Sequence, residues 1–436
     1  MVKRLALFAV LCVLLGRGVE TSPTIWYVNS GSGLDTNAGT SALTAFQTIQ
    51  KAADVVNPGD TVEVAPGTYH RRVSPSTPCD DEPAVVCAWR GGSVGNYVTF
   101  HSTTLHGAVL DGTSSVDFGF RPEAPFIIID GFEIKNNADV LSCGSCPGAA
   151  GIFFGYSGTS DFKAFRNDIH AIGNNCTDTD FGIVGIFAGM PNIWIEGNSF
   201  HDIGRYEDGE SGCVTSVGRN HDHGIYSAAD GTGTDNATNL TIINNLFYQE
   251  SYVNSSTGFQ GWPIQIAKGA NGYTGLTISN NTFNAFNPDK QGQILFIEIT
   301  GTITGAIVSN NICYNPNTGC INFFDGTYVG SVANNNLTFN GALTATGVPP
   351  GVSISGNVTG DPNFVNASTN NYALAGTGSA VDGGVSVAQV TQDYIGTVRP
   401  QGSLPDIGAY EFVPMGGGGG AMVTVSIVPI VKLRRL

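Results

Sequence analysis

Short apolar runs of alternating pattern recur along this chain, and each ends in asparagine. The best formed are Leu276-Thr-Ile-Ser-Asn-Asn-Thr-Phe283, Leu240-Thr-Ile-Ile-Asn-Asn-Leu-Phe247, Ile193-Trp-Ile-Glu-Gly-Asn-Ser-Phe200 and Ala306-Ile-Val-Ser-Asn-Asn-Ile-Cys313. Looser copies lie at 162–169, 330–337 and 353–359. Aligned, they stack Asn167, Asn198, Asn245, Asn281, Asn311, Asn335 and Asn357 in one column, at intervals of 31, 47, 36, 30, 24 and 22 residues. Alternation with period two marks a strand with one buried face. A unit repeated at this spacing cannot bury its apolar face alone and must stack on its neighbours, as the coil of a solenoid does. The pattern predicts an all-β solenoid.

Before the first coil the period changes. Trp26-Tyr-Val-Asn29 alternates as a strand, but Thr44–Val56 carries apolar residues at 46, 49, 52, 53 and 56. That is helical spacing, and Asn57-Pro58-Gly59 stops it. Thr61–Ala65 alternates again and Pro66-Gly67 turns it. A helix placed there covers the end coil, which otherwise exposes core and strand edges.

A second ladder runs Gly151-Ile-Phe-Phe, Gly185-Ile-Phe-Ala, Gly224-Ile-Tyr-Ser, Pro263-Ile-Gln-Ile, Phe296-Ile-Glu-Ile and Ile321-Asn-Phe-Phe. If the mostly Ile column (152, 186, 225, 264, 297) points inward, then Phe153, Phe187, Tyr226, Gln265, Glu298 and Phe323 point outward. That column is either a platform for sugar rings or, at Phe153 and Phe187, a surface covered by neighbouring loops.

Composition agrees with coils and turns. Of 436 residues 59 are Gly, and only 12% are charged. Gly, Asn and Ser favour turns over helix interiors. A globular chain this long would divide into domains, whereas a solenoid core grows along one axis. The net charge is −16, and outside the two ends no basic run is longer than Arg71-Arg72. Nucleic acid is therefore excluded as a partner, and a monomer is expected. An acidic polysaccharide would need a local basic patch or a bridging cation to offset the field.

Residues 1–22 have the form of a secretion signal: Lys3 and Arg4, the apolar Leu5–Leu15, then a polar exit. The apolar part is too short to span a bilayer, so a secreted or cell-surface protein without a membrane span is expected. Of nine Cys, Cys12 leaves with the signal and eight remain. An even number in an exported chain argues for disulfides. Cys79–Cys87 and Cys313–Cys320 are the natural local pairs, while Cys143, Cys146, Cys176 and Cys213 stay open between loop disulfides and zinc.

Tyr27-Val-Asn, Phe46-Gln-Thr-Ile-Gln-Lys-Ala-Ala, Pro58-Gly-Asp-Thr-Val-Glu-Val and Gly67-Thr-Tyr resemble the opening of secreted right-handed parallel β-helix proteins of the pectate-lyase-like superfamily. Tyr97-Val-Thr-Phe, Val109-Leu-Asp-Gly and Ile127-Ile-Ile-Asp-Gly-Phe-Glu-Ile134 resemble that superfamily's first coils. The resemblance covers about residues 24–360 and implies a right-handed parallel β-helix with an N-terminal capping helix. It does not fix an activity, because the superfamily holds lyases, hydrolases, epimerases and non-catalytic surface proteins. Asp361-Pro-Asn-Phe-Val, Ala380-Val-Asp-Gly and Asp406-Ile-Gly-Ala-Tyr-Glu-Phe412 resemble the small C-terminal module that follows such helices in variously anchored surface proteins, expected to close the far end. The expected organisation is a signal at 1–22, strand and cap at 23–75, β-helix at 76–360, closing module at 361–413, and a glycine linker with apolar and basic tail at 414–436.

The longest interval in the asparagine column contains an insertion. Residues 201–223 hold Asp202, Arg205, Glu207, Asp208, Glu210, Arg219 and Asp222, with His201, His221 and His223. In a charge-poor chain this is either a site, since loops on rigid scaffolds carry function, or a solvated loop tied by ion pairs. It ends in Asn220-His-Asp-His-Gly-Ile-Tyr226, running into the second ladder, with Trp262, Gln265 and Lys268 on the next coil. β-Elimination on a uronate polymer needs a cation to neutralise the carboxylate, a base for the C5 proton and an acid for the leaving oxygen. Arg219 or Lys268 suits the first role, His223 the second and Tyr226 the third, with His221, Trp262, Gln265, Glu298 and Phe187 as substrate contacts. Epimerisation uses the same first two steps. Hydrolysis needs paired carboxylates, for which Glu298 with Asp222 or Glu250 are candidates.

The Asp-rich coil of calcium-dependent pectate lyases, the polygalacturonase series and the Lys/Arg/Glu signature of chondroitinase-B-like alginate lyases are not visible. No cofactor is demanded. Ca²⁺ is a candidate cation, with Asp230-Gly-Thr-Gly-Thr-Asp235 offering oxygens or forming a plain turn. The expected function is a lyase or epimerase on an acidic glycan. The alternative is a non-catalytic surface protein that binds glycan or acts as a spacer.

Overall fold

The computed structural model describes residues 22–71, 83–114, 116–137, 148–155, 158–173, 182–204, 222–228, 238–248, 262–267, 269–284, 293–316, 319–344 and 346–414. The expected signal, the C-terminal tail and Cys79, Cys143, Cys146, Cys176 and Cys213 lie outside them. Three long parallel sheets carry the chain. The first has eleven strands, from Ile25–Val28 to Val352–Ser355. The second has ten, from Gly67–Tyr69 to Val358–Thr359, and the third eight, from Ala84–Ala88 to Ile321–Phe323. A full coil gives one strand to each sheet in turn, so the chain winds as a right-handed parallel β-helix.

The apolar alternation sets the register. Ile195 pairs with Ile242 and Ile242 with Ile278, all turned into the core. In the second sheet Phe200, Phe247 and Phe283 stack with ring centroids 4.8 Å apart. One continuous core runs from the N-terminal cap through the coils.

The Asn-Asn pairs sit at the corner between the first and second sheets. The first residue of each corner is left-handed: Arg166, Gly197, Asn244, Asn280, Asn310, Asn335 and Gly356 have φ of 53, 66, 54, 56, 57, 52 and 63°. Asn tolerates that conformation best among residues with a side chain. The second residue turns inward and is buried. Asn245 Nδ2 and backbone N–H both donate to Asn281 Oδ1, at 3.0 and 2.9 Å, and Asn281 donates likewise to Asn311. The ladder runs Asn167, Asn198, Asn245, Asn281, Asn311, Asn336 and Asn357. One member of the expected column is thus corrected: Asn336, not Asn335, stands in it. Asn334, Asn335 and Asn336 are consecutive, and only the left-handed φ of Asn335 marks where the corner falls.

The capping helix is shorter than its spacing suggested. It covers Ile49–Ala53 after a 3-10 turn at Ala42–Thr44. Asp35 accepts the N–H groups of Gln47 and Thr48, both at 2.9 Å, and Thr48 then caps the helix by accepting from Lys51 N–H. Phe46 is extended and stacks on Trp26 at 5.7 Å. Ile49, Ala52, Ala53 and Val56 are buried in the core at this end.

The C-terminal segment, with a hairpin of Phe364–Asn366 and Asn371–Leu374, runs back along the flank of the coils. The outward Asn of successive corners grips it. Asn335, Asn310, Asn280 and Asn244 donate to the carbonyls of Gly383, Val385, Asp406 and Gln392. Inside the segment, buried Arg399 pairs with Glu411 at 2.8 Å and donates to the carbonyls of Asp406 and Gly408. Cys313 and Cys320 form a disulfide as expected, and Cys87 is disulfide-bonded. Among the described residues no helix is long and apolar enough to cross a membrane.

Candidate functional site

The third sheet places His223 and Tyr226 on one outer face. Gly224 makes this possible. A Cβ there would meet Pro263 O at 2.7 Å and the Phe247 ring at 2.9 Å, so only glycine allows the sheet to lie this close to the second. The strand His223–Ala228 passes through that close approach, and the rings of residues 223 and 226 stack outside at 5.4 Å. They end an aromatic row. Phe118–Phe153 (4.8 Å), Phe153–Phe187 (4.9 Å) and Phe187–Tyr226 (5.9 Å) follow the solenoid axis, and His223 meets Trp262 at 6.1 Å. Phe153 is covered, whereas Phe187 and Tyr226 stay partly exposed.

Tyr226 pairs with Gln265 on the next coil, but Gln265 then pairs with Leu295. The inward Ile column passes to Ile294 and Ile321, not Ile297. Glu298 and Phe323 therefore do not continue the column of Tyr226 and Gln265, which passes to Leu295. Glu298 is exposed just past the strand Ile294–Ile297, with φ 57° and its N–H on Asp325 Oδ2. Phe323 pairs with Phe296 and packs on the core. Arg219, His221, Lys268, Glu250, Asp230–Asp235 and most of the 201–223 insertion lie outside the described residues.

His223 is only 1% exposed, and its Nδ1 accepts the Trp262 N–H at 3.1 Å. Burial, helped by the charge of Glu298, pushes the Tyr226 phenol well above its ordinary pKa. The hydroxyl stays protonated and can donate a hydrogen bond or a proton, but it is no base at neutral pH. Gln265 Oε1 is buried with no hydrogen-bond partner among the described residues. Arg121, which the sequence reading passed over, precedes Phe153 in the same column; it is paired with Glu123 at 3.0 Å and lies 5.8 Å over Phe118.

A second polar cluster lies on the outer face of the second sheet. Asp168 and His170 of the strand Asp168–His170 pair with Ser199 and His201 of the next coil. His201 Nε2 is 3.3 Å from Asp168 Oδ1 and its Nδ1 is 3.0 Å from Asp202 Oδ2. His170 Nε2 is 3.1 Å from Glu133, which also holds Lys135 at 2.6 Å. The rings of His170, His201 and Tyr248 stack at 4.6 and 4.8 Å. Burial lowers the His201 pKa, but Asp168 and Asp202 outweigh it and lift it to about 10. Burial raises Asp168, yet His201 holds it well below the carboxylate range. The hydrogen bond from His170 brings Glu133 down to about 2. The signal that reveals this cluster is positional: His170 and His201 each stand three residues after a ladder asparagine, Asn167 and Asn198.

No protein-family model matches the chain, and no curated protein matches it. Solved structures do. The chain is similar to the pectate lyase Pel9A at 13% identity, covering 90% of this chain and 97% of that one with a TM-score of 0.52. It is similar to an alginate lyase from Paenibacillus sp. str. FPU-7 at 17% identity, covering 71% and 92% with a TM-score of 0.47. A third similar structure is XylC in complex with xylose, at 12% identity, 78% and 70% coverage and a TM-score of 0.47. At such identities the likeness is one of fold.

Proposed function

We propose that this chain is a secreted polysaccharide-active β-helix protein. It binds an acidic, uronate-containing glycan along the outer face of the third sheet and acts on it by proton transfer, as a lyase or epimerase. The observation that carries this reading is Tyr226: partly exposed at the end of the aromatic row, its hydroxyl protonated at neutral pH, with Gln265 beside it. Such a phenol donates to the leaving oxygen of an elimination, while Phe187 and Trp262 offer sugar-stacking faces. His223, buried and held by the Trp262 peptide, is assigned to orienting Tyr226 and Trp262 and not to the base role. Arg219 and Lys268 are assigned to the substrate carboxylate and the base.

The burial of His223 favours a second reading, a glycan-binding surface without catalysis. The experiment that separates the two incubates the protein with a panel of uronate polymers, with Ca²⁺ and with chelator. It follows the ultraviolet absorbance of unsaturated uronate and the exchange of solvent deuterium into C5. Either signal, lost in Tyr226→Phe, supports the enzyme. Binding with neither signal supports the second reading, and no binding to any polymer rejects both.

A further inference from the structure

On the other outer face, that of the second sheet, the geometry points to a binding site for a late first-row divalent cation such as Zn²⁺, formed by Asp168, His170 and His201. One donor atom from each residue lies within 4.8 Å of the other two. Donors around a tetrahedral zinc ion with bonds of about 2.0–2.2 Å stand about 3.3–3.6 Å apart, so the set closes on an ion once the His170 and His201 side chains rotate out of their parallel stack and draw the donors in by about 1 Å. Two imidazoles with one carboxylate suit zinc, copper or nickel over calcium or magnesium, which take oxygen donors.

The surroundings are those of a held donor set. Asp202 on His201 Nδ1 supplies the outer carboxylate that orients a ligating imidazole. Tyr248 backs the His201 ring on the face away from His170. Ser199 Oγ donates to Asp168 Oδ1 at 2.5 Å, and the half-buried Tyr394 of the C-terminal segment reaches Ser199 over the cluster. Access is from the edge of His170 and Glu133, which are 15% and 22% exposed. Lys135, beside the set, is paired with Glu133. Binding replaces the proton shared by His201 Nε2 and Asp168, which leaves to solvent. Three protein donors leave a fourth position for water or a ligand atom.

The test is calorimetric titration of untagged, chelator-treated protein with Zn²⁺, paired with the visible spectrum of the Co²⁺ adduct. One equivalent is expected to bind at micromolar or lower concentration, with proton release and the intense d–d bands of a low-coordinate cobalt site. His170→Ala, at the exposed edge, is expected to weaken binding at least tenfold while the circular dichroism is kept; Asp168→Asn gives the same result if it folds. The absence of stoichiometric binding in the wild type, a hexa-aqua cobalt spectrum, or unchanged affinity in folded His170→Ala overturns the site. The cluster is then a closed ion-pair network. None of these outcomes touches the glycan reading, which rests on a different face.

Discussion

Asn244 and Asn245 are neighbours in sequence and face opposite ways. Asn245 turns inward and donates to Asn281 Oδ1 at 3.0 Å, within the buried ladder. Asn244, in the left-handed corner position, donates outward to the Gln392 carbonyl at 2.8 Å. One dipeptide thus joins a coil to the next coil and to the C-terminal segment.

The inward member is a stability residue. Asn281→Leu removes the acceptor of the Asn245 backbone and side-chain amides and the donor to the Ile242 carbonyl. Leaving buried polar groups unmet costs about 1–3 kcal/mol each. The variant is expected to lose roughly 3–5 kcal/mol in total, read as a drop in the denaturation midpoint. A loss below about 1 kcal/mol would show the ladder to be energetically neutral.

The outward member acts locally. Asn244→Gly keeps the left-handed corner at no backbone penalty and removes only the side chain. Hydrogen exchange around Gln392 is expected to quicken about fivefold, corresponding to about 1 kcal/mol, with the coils unchanged. Equal quickening throughout the coils would mean that the segment and solenoid unfold as one unit.

Where the sequence was legible, a single geometric rule acted on both composition and spacing. The coils show themselves because the inward positions must be apolar and the corner must be left-handed, which leaves Asn or Gly at most repeats, with Arg166 the exception before Asn167. The reading slipped at Asn334-Asn335-Asn336, where three identical residues hide the corner by one place. It slipped again at Ile294-Leu-Phe-Ile297, because Leu295 is buried on the outer face as well. With both faces apolar, period two disappears and register is lost. The Asp168, His170 and His201 cluster was passed over because its members belong to two coils, and their shared offset from the asparagine column emerges only after stacking.

Tyr226→Phe preserves the ring contacts with Phe187 and His223 and removes only the hydroxyl. If Tyr226 is the acid, kcat on the responsive polymer falls by about 10²–10⁴ with little change in KM, the usual worth of a general acid. Gln265→Ala should act mainly on KM. An unchanged rate in Tyr226→Phe would remove it from the reaction.

The second-sheet cluster predicts a pH profile for the chelator-treated protein. His201 is lifted from 6.5 to about 10, so its stabilisation is complete below about pH 6.5 and fades as pH rises towards 10. Glu133 is lowered from 4.5 to about 2, so its stabilisation is present above about pH 4.5 and fades as pH falls towards 2. Together they contribute most between about pH 4.5 and 6.5. The melting temperature of His201→Gln should lack the alkaline decline, and that of Glu133→Gln should have a shallower acid decline. Parallel curves for variant and wild type would contradict the assignment.

Solenoids usually gain and lose repeats freely in evolution, because each coil answers only to its neighbours. The C-terminal segment withdraws that freedom here. Its carbonyls meet the corners at Asn335, Asn310, Asn280 and Asn244 at fixed places along the stack. Deleting or duplicating a coil between them would shift the corner positions by one strand spacing, about 4.8 Å, and leave the segment out of step. The segment therefore works as a ruler that counts coils, and it makes the length of this part of the solenoid an inherited constant.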